Sequence, residues 1–457
     1  MDASAPPNLL LVIADDHQAT ALGAHGHPVV RTPTLDGLVA DGVTFSRVQI
    51  MGSFMPAVCA PSRACLLTGR NAVKADASPA LVKGPAYEVA LAPDAPTLPQ
   101  VFGEAGYQTF FTGKWHNDLP ALLRSFEAGE AIFHGGMCDH DKVPVRSLRE
   151  IAAGLAPRIG RGFSTELFCR AADTFLRSRD RARPFFACVA LTSPHDPRTP
   201  PAEFRALYPP EEIPLPANFR SEHGFDNGEL DIRDERLAPT PRDPATVREH
   251  LAGYYGMISH HDAWLGRLLA TLRETGADKN TLIVYTSDHG LALGSHGLFG
   301  KQNLYEHSIR VPLIMKGPGL PRGRRCASLA YAFDLYATLC DLAGLAAPDS
   351  LDSRSLLPAL STPMRSIREE LGSLYMDCQR ALTTERWKLI KYRVAGRERV
   401  QLFDLETDPH EIEDRAADTE FAPLVADLTR RLHAWQRQVG DRWMLPPVET
   451  ASRMPLR

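Results

Sequence analysis

Four short apolar segments, each ending in a cluster of ionisable residues, place the strongest constraint on how this chain of 457 residues can fold. Rich in Val, Ile, Phe and Thr and hydrophobic without alternation, they are typical of central strands buried on both faces of a largely parallel sheet. In open α/β sheets, ligands bind beyond the carboxyl ends of such strands, so the four clusters are predicted to meet at one edge. The segments are residues 9–14 before Asp15-Asp16, 107–112 before Gly113-Lys114-Trp115-His116, 185–192 before Ser193-Pro194-His195, and 281–286 before Ser287-Asp288-His289-Gly290.

The remaining pattern indicates helices around that sheet and a second, smaller unit. The clearest helix covers residues 246–275, with one apolar stripe and Gly276 closing it. Beyond about residue 363, the segments 380–392 and 400–405 are predicted as strands joined by a polar turn at Ala395-Gly396, with a helical tail after them.

We therefore expect an α/β fold in which helices sandwich a large, mostly parallel (mixed) sheet. Two domains are predicted: a main domain over residues 1–363, and a small C-terminal α+β subdomain with an antiparallel sheet over 364–457. Residues 197–244 show little periodicity and are expected to form a long surface excursion over the site.

Composition argues against several classes of partner. The chain has 51 Lys and Arg against 55 Asp and Glu, a net charge of −4 and no polybasic tail, so neither nucleic acid nor an anionic membrane is indicated. The start of the chain lacks a basic and apolar leader, and residues 9–14 are too few to span a bilayer, which favours a cytoplasmic location. The 8 cysteines lack CxxC or zinc-like spacing, which indicates reduced thiols rather than a disulfide framework.

The most specific motif is Cys59-Ala60-Pro61-Ser62-Arg63, continued by Leu66-Leu67-Thr68-Gly69-Arg70. Pro61 suits the first turn of a helix, so residue 59 is expected just ahead of a helix N-terminus. Free backbone N–H groups there favour an anion such as sulfate, and Arg63, about one turn further on, would bring a guanidinium fork to it. The alternative interpretation is a buried or mildly activated thiol at a helix start.

This motif resembles the signature of the type I, formylglycine-dependent sulfatase family of the alkaline phosphatase-like superfamily, in which the cysteine is oxidised to formylglycine after translation. The resemblance covers nearly the whole chain and is nearest to iduronate-sulfatase-like and bacterial polysaccharide sulfatases. The matching positions are Asp15 and Asp16 after the first strand, Lys114 and His116 in G-K-W-H, His195 in P-H-x-P, Asp288 and His289 in D-H-G, Lys301 beyond it, and Leu402-Phe403-Asp404-Leu405 in the C-terminal hairpin.

The resemblance also implies roles for these residues. One hydroxyl of the hydrated aldehyde would attack sulfur in line, leaving sulfate on the enzyme while the alcohol departs. His195 and Lys301 would hold the sulfate and protonate or neutralise the departing oxygen, and His116 would take a proton from the second hydroxyl and so expel sulfate. Lys114 and Arg63 would hold charge and geometry around Cys59.

One divalent metal ion is implied as well, with Asp15, Asp16, Asp288, His289 and an oxygen of the modified Cys59 as ligands. Several relatives carry Asn where this chain has His289. Ca²⁺ is favoured. Imidazole is a softer donor than an amide oxygen, and Mg²⁺ and Mn²⁺ therefore remain open.

The implied substrate is a small sulfate ester, with a sulfated saccharide as the leading class, and the implied maturation partner is a formylglycine-generating enzyme. Two alternatives stay open: hydrolysis of phosphonate monoesters or phosphodiesters on the same scaffold, and a non-catalytic anion-binding protein with unmodified Cys59. Residues 134–140, Asp196 and Arg198 are either substrate contacts or loop scaffolding. The pair His260-His261 is expected to pack rather than chelate, since adjacent helix positions face different ways.

Overall fold

A computed structural model describes residues 6–76, 89–361 and 366–441. The strands are β1 (Asn8–Ala14), β2 (Val43–Gln49), β3 (Gly52–Ser53), β4 (Gln108–Trp115), β5 (Ala128–His134), β6 (Pro144–Val145), β7 (Arg158–Ile159), β8 (Phe185–Ala190), β9 (Thr281–Ser287), β10 (Arg310–Lys316), β11 (Arg324–Cys326), β12 (Ala330–Tyr331), β13 (Glu370–Tyr375), β14 (Gln379–Thr384), β15 (Trp387–Val394) and β16 (Arg397–Asp404). The α-helices are α1 (Pro33–Asp41), α2 (Cys59–Thr68), α3 (Ala72–Ala75), α4 (Leu98–Glu104), α5 (Leu119–Ser125), α6 (Leu148–Ala152), α7 (Ser164–Ser178), α8 (Ala202–Arg205), α9 (Pro244–Glu274), α10 (Glu306–Ile309), α11 (Leu335–Ala343), α12 (Leu357–Ser361) and α13 (Ala422–Val439).

The main sheet has 9 strands within the described ranges, in the order β11-β2-β10-β9-β1-β8-β4-β5, with β12 also paired to β2. Strand β1 pairs in parallel with both β8 and β9, and β4 pairs in parallel with β8 and β5. Strand β10 runs antiparallel to β9 and β2. The predicted mostly parallel, mixed sheet is confirmed, and the four predicted central strands, β9, β1, β8 and β4, are consecutive in it.

Burial on both faces explains why these strands are hydrophobic without alternation. Leu9 and Leu11 of β1 belong to one hydrophobic core, which also contains side chains of α2, α4 and α11. Leu10 and Val12 belong to the opposite core, which contains side chains of α1, α7 and α9. Every position of the strand from residue 9 to residue 14 therefore faces apolar neighbours, and helices sandwich the sheet as expected.

Helix α9 is the longest element and follows its predicted boundaries closely. Asp243 caps it by accepting the backbone N–H of Thr246, and Gly276 lies just beyond its end with φ +71°. The segment before it, residues 197–244, forms α8 and short 3₁₀ turns separated by irregular backbone. Within the described part of the chain, no helix combines the length and apolar character that crossing a bilayer requires.

A second sheet has the order β16-β15-β14-β13-β3, antiparallel except where β3 joins β13 in parallel. The prediction of one strand over residues 380–392 was wrong, because the chain reverses at Glu385-Arg386 between β14 and β15. That turn contains neither Gly nor Pro, so the pattern shows no break. The turn at Ala395-Gly396 is confirmed, with positive φ at both residues, and α13 is the helical tail. The predicted domain boundary at residue 363 lies outside the described residues and stays a prediction.

Candidate active site

The loops that follow the central strands lie side by side at the carboxyl edge of the sheet. Ala14 and Ser287, which precede Asp15 and Asp288, are paired in register. The backbone N–H of Asp288 donates to Ala14 O at 3.1 Å, and that of Asp15 donates to Ser193 O at 3.3 Å. The predicted convergence of distant polar clusters at one edge is therefore confirmed.

Helix α2 brings Cys59 to the same place. The helix begins at Cys59 itself, so the prediction that Cys59 lies ahead of the helix was off by one position, within the ordinary uncertainty of helix ends. All of α2 is buried. Ser62 Oγ donates to Asp288 O at 2.6 Å, which ties the first turn to the loop after β9. Cys59 Sγ lies 3.1 Å from Nδ1 of His116.

Three buried cations surround these groups. Lys114 Nζ lies 2.5 Å from Asp15 Oδ2, Arg63 Nε donates to Asp288 Oδ2 at 2.8 Å, and Lys301 Nζ donates to Asp16 Oδ1 at 3.0 Å. Arg63, expected beside an anion, thus holds a carboxylate.

The cations also act on Cys59. Burial alone would raise the pKa of its thiol, but Lys114, His116 and Lys301 hold that pKa well below its usual value. Position 59 therefore favours a negatively charged group.

A bulge in β4 precedes Lys114. Its pairing with β5 shifts register between Phe111 and Gly113, and Gly113 has φ +102°. A Cβ at Gly113 would lie 1.8 Å from Ala190 O, so only glycine fits there. The strand continues through Trp115, so Lys114 stands inside a strand rather than after one. Bulges of this kind redirect side chains next to active sites.

The donor atoms near Cys59 fit a divalent metal ion. Among the described residues, Asp15 Oδ1 and His289 Nε2 are buried without a hydrogen-bond partner. His289 Nε2 lies 3.7 Å from Asp15 Oδ1 and 3.5 Å from Asp288 Oδ1. Donor atoms of Asp15, Cys59, Asp288 and His289 all lie within 4.8 Å of one another. A cation bound between these atoms would give the unpartnered oxygen and nitrogen a partner inside the protein.

The orientation of the His289 ring agrees with this role. Its Nδ1 lies 3.0 Å from Gly290 O, which can only accept, so Nδ1 carries a proton and Nε2 is the ring atom that a metal ion would bind, in place of any proton there. Burial alone would lower the pKa of His289, but the Asp288 carboxylate raises it to about 9. The negative field of the carboxylates at this point is thus strong.

Asp16 connects this cluster to His195 and Lys301. Its backbone has φ +69°, a left-handed conformation that is uncommon outside glycine and concentrates at functional sites. Asp16 Oδ1 lies 3.1 Å from His289 Nδ1, and Oδ2 lies 4.0 Å from His195 Nε2. The structure thus brings together all of the residues predicted for the site.

The sulfatase family model matches residues 7–345, and the model described as "N-sulphoglucosamine sulphohydrolase, C-terminal" matches residues 294–438. The chain belongs to the sulfatase family. It is accordingly a sulfuric ester hydrolase.

Known proteins similar to this sulfatase include two curated relatives. An N-acetylglucosamine-6-O-sulfatase of Bacteroides thetaiotaomicron is 25% identical over 508 residues, covering 95% of this chain and 87% of that protein. Iduronate 2-sulfatase of Homo sapiens is 31% identical over 398 residues, covering 75% and 70%. A solved structure in complex with its substrate D-glucosamine-2-N,6-O-disulfate aligns with a TM-score of 0.77 at 23% identity, over 96% of this chain and 99% of that one. That likeness establishes the alkaline phosphatase-like sulfatase fold.

Sequence reasoning missed Arg233 and Asp234, with which the segment 197–244 forms a charged rim beside Asp196 in this sulfatase. Arg233 Nη1 donates to Asp196 Oδ1 at 3.0 Å and to Asp234 Oδ1 at 2.9 Å, and Asp234 accepts from Gln302 at 2.8 Å. Asp196 lies next to His195, so this rim borders the cluster. The sequence signal is a run of charges in a segment without periodicity, which is also typical of a solvated loop.

Two other groups of residues serve as scaffold. His140 is buried between Ser164 Oγ at 2.7 Å and His195 O at 3.0 Å, so it supports the backbone of His195. Gly136 packs against the ring of His116, where a Cβ would lie 3.1 Å from Nε2.

The expectation that the pair His260-His261 packs is confirmed. His261 Nε2 lies 2.9 Å from Tyr285 Oη, and the His260 ring lies between Phe163 and Phe204.

Proposed function

We propose that this sulfatase removes sulfate from a sulfated saccharide, using formylglycine made from Cys59 and a divalent metal ion. The observation that carries the proposal is the position of residue 59. Residue 59 begins a buried helix, and its Sγ lies 3.1 Å from His116 Nδ1. The same sulfur lies within 4.8 Å of donor atoms of Asp15, Asp288 and His289. A group attached there would lie between the proposed metal ligands and the proposed base.

The metal would be held by Asp15, Asp288, His289 and residue 59, with Asp16 beside them. When bound, a divalent cation, with Ca²⁺ favoured, supplies Lewis-acid charge to the sulfuryl oxygens. Formylglycine supplies a hydrated aldehyde. One of its hydroxyl groups acts as the nucleophile, and loss of the proton from the other expels sulfate. The rest of the chemistry belongs to side chains that the structure describes.

His116 is the proposed base at residue 59. Its Nδ1 is the ring atom beside Sγ, which is the atom that an oxygen of formylglycine replaces. A proton on that oxygen would move to Nδ1 over ordinary hydrogen-bonding distance. Against the effect of burial, Lys114 helps to hold the pKa of Asp15 well below its usual value. Burial and Asp15 raise the pKa of Asp288, and Arg63 opposes that rise.

His195 and Lys301 are the proposed groups on the leaving-alcohol side. His195 Nδ1 donates to Asp196 O at 2.8 Å, which fixes the ring and directs Nε2 toward Asp16. Lys301 approaches Asp16 from the other side through Nζ. Sulfate oxygens between these groups would meet positive charge, and the departing oxygen would find a proton donor.

The saccharide class is supported by the relatives, since one is named N-acetylglucosamine-6-O-sulfatase and another iduronate 2-sulfatase, and one similar solved structure contains a sulfated glucosamine. The rim of Asp196, Arg233 and Asp234 offers both donors and acceptors, which suits a hydroxyl-rich ligand. A formylglycine-generating enzyme would act as maturation partner.

The test is a panel assay with protein that has passed through a host containing the maturation enzyme. We expect turnover of sulfated mono- or disaccharides, and much weaker turnover of aryl phosphonates and phosphodiesters; the opposite ranking would favour the phosphonate alternative. Mass spectrometry of the peptide with residue 59 should show aldehyde or its hydrate. A free thiol at full occupancy, together with anion binding but no turnover, would leave only the non-catalytic alternative.

The matched variants are Cys59→Ser and Cys65→Ser. Cys65 lies on the same buried helix but outside the group of donor atoms. Cys59→Ser should abolish turnover, whereas Cys65→Ser should retain it.

A further inference from the structure

The chain as translated presents a different donor set from the oxidised enzyme. With a thiol at residue 59, the cluster offers one sulfur, the imidazole Nε2 of His289, and carboxylate oxygens of Asp15 and Asp288, all buried and within 4.8 Å of one another. No other His, Cys, Asp or Glu of the described residues joins this group. The set is therefore S, N, O and O.

The outer oxygens of both carboxylates are already engaged. Asp15 Oδ2 is paired with Lys114 and Asp288 Oδ2 with Arg63. The other oxygens, Asp15 Oδ1 and Asp288 Oδ1, lie 3.7 Å and 3.5 Å from His289 Nε2. Ligands on a tetrahedral ion with bonds of about 2.0–2.1 Å lie roughly 3.3 Å apart, so a small contraction would close the site. Each side chain thus contributes one donor to a compact four-ligand site.

The chemistry of the donors decides which ion suits them. Ca²⁺ takes six to eight oxygen ligands, and this set provides only two carboxylate oxygens. A thiolate, an imidazole and carboxylates in a closed, four-coordinate arrangement suit Zn²⁺ and similar borderline-soft ions. His116 Nδ1, 3.1 Å from Sγ, is placed to donate a hydrogen bond to a bound thiolate, as outer-shell groups do at thiolate sites.

We propose that, before Cys59 is oxidised, Asp15, Cys59, Asp288 and His289 form a thiolate site that binds a Zn²⁺-class ion in preference to Ca²⁺. Any proton on Cys59 Sγ is released to solvent when the ion binds, and no redox change is involved. The proposal extends the proposed function in one respect: oxidation of Cys59 replaces sulfur by oxygen and reverses the preference toward Ca²⁺.

The experiment uses the full chain, produced without maturation enzyme and with the thiol verified by mass spectrometry. Co²⁺ serves as the probe, because a cobalt–thiolate bond gives a charge-transfer band in the near ultraviolet. We expect this band in the wild type, in Cys65→Ser and in Cys138→Ser, and its loss in Cys59→Ser. Zn²⁺ should displace Co²⁺, and a large excess of Ca²⁺ should not. Because Cys59→Ser removes a direct ligand, it should weaken Zn²⁺ binding by at least the roughly 10–100-fold that loss of an outer-shell partner costs.

X-ray absorption at the zinc edge of the wild-type protein gives a measurement that needs no variant. It should show one sulfur at about 2.3 Å and nitrogen or oxygen atoms at about 2.0 Å. A shell of nitrogen and oxygen alone, a cobalt band that persists in Cys59→Ser, or displacement by equimolar Ca²⁺ would each overturn the proposal. Sulfatase turnover by oxidised protein is measured separately, so failure of the thiolate site and failure of the proposed function remain distinguishable.

Discussion

Lys114 and Asp15 form a completely buried ion pair, with Lys114 Nζ 2.5 Å from Asp15 Oδ2. As a result, the two oxygens of Asp15 have different neighbours. Oδ2 meets the lysine, and Oδ1 faces His289 Nε2 without a hydrogen-bond partner among the described residues. Lys114 therefore sets the orientation and charge of a proposed metal ligand without belonging to the proposed ligand set itself.

Replacing Lys114 by Met should destabilise the fold. Asp15 would retain the more distant Arg63, whose Nη2 lies 3.6 Å away, and His289, whose Nε2 lies 3.7 Å away. Removing one partner of a buried pair costs about 3–5 kcal/mol. Urea denaturation of the two proteins measures the difference. The control is Arg170→Ala, which breaks an exposed pair with Glu166 on α7 and should cost about 0.5 kcal/mol or less. Equal effects in the two variants would contradict the buried-pair account.

His116→Ala should trap sulfate on the enzyme. Without the ring beside residue 59, the first half of the reaction can proceed but the proton needed to release sulfate has no acceptor. We expect kcat to fall by about 10²–10⁴-fold and sulfate to remain on the peptide containing residue 59. Mass spectrometry after brief exposure to substrate detects it. His433→Ala, on α13, is the control, and unchanged turnover by His116→Ala would exclude the base role.

Glu235 is predicted to position Lys301. Its carboxylate accepts the backbone N–H of Phe299 at 2.9 Å and of Gly300 at 2.8 Å, and Arg242 pairs with it. Glu235→Gln keeps the size but loses charge and one acceptor, so the backbone before Lys301 should loosen.

We expect a fall in kcat of about 10–100-fold with a smaller change in KM, by analogy with outer-shell residues at metal sites. Steady-state kinetics measures both constants. Glu203→Gln, an exposed position on α8, should leave both unchanged. A loss confined to KM would instead indicate a substrate contact.

The central part of the fold was predictable because its physical cause is local. Strand β1 is buried on both faces, so its sequence is continuously apolar, and Asp15 marks the point where burial ends. The same reasoning located Asp288 and His195. The motif at Cys59 located helix α2 to within one residue because Pro61 marks a first helical turn.

The parts that could not be predicted depend on contacts between distant segments. Arg233, Asp234 and Glu235 reach the site only because a long irregular segment folds back over it, and no period in their sequence records this. The bulge at Gly113 depends on the close approach of Ala190 from a neighbouring strand. The hairpin at Glu385-Arg386 contains no Gly or Pro that would favour a turn. The reversal is fixed by the antiparallel pairing of β14 with β15.

Glu411 should make stability depend on pH. Burial raises its pKa to about 7, with Lys388 opposing and Glu306 reinforcing the shift. Lys388 Nζ lies 2.9 Å from Glu411 and 3.0 Å from Glu306, so one ammonium faces two buried carboxyl groups and one of them retains a proton. In the unfolded chain a glutamate titrates near 4.3.

Between about pH 4.3 and pH 7 the folded state therefore binds a proton that the unfolded state has released. Stability should fall as pH rises through this window, by up to about 1.4 kcal/mol per pH unit, and level off above it. Denaturation of wild type and Glu411→Gln from pH 5 to pH 8 isolates the contribution as a difference, because other titrating groups are common to both. Glu413→Gln, a neighbouring exposed residue, should keep the wild-type slope. If Glu411→Gln also keeps the wild-type slope of stability against pH, the proton that the folded state binds resides on another group.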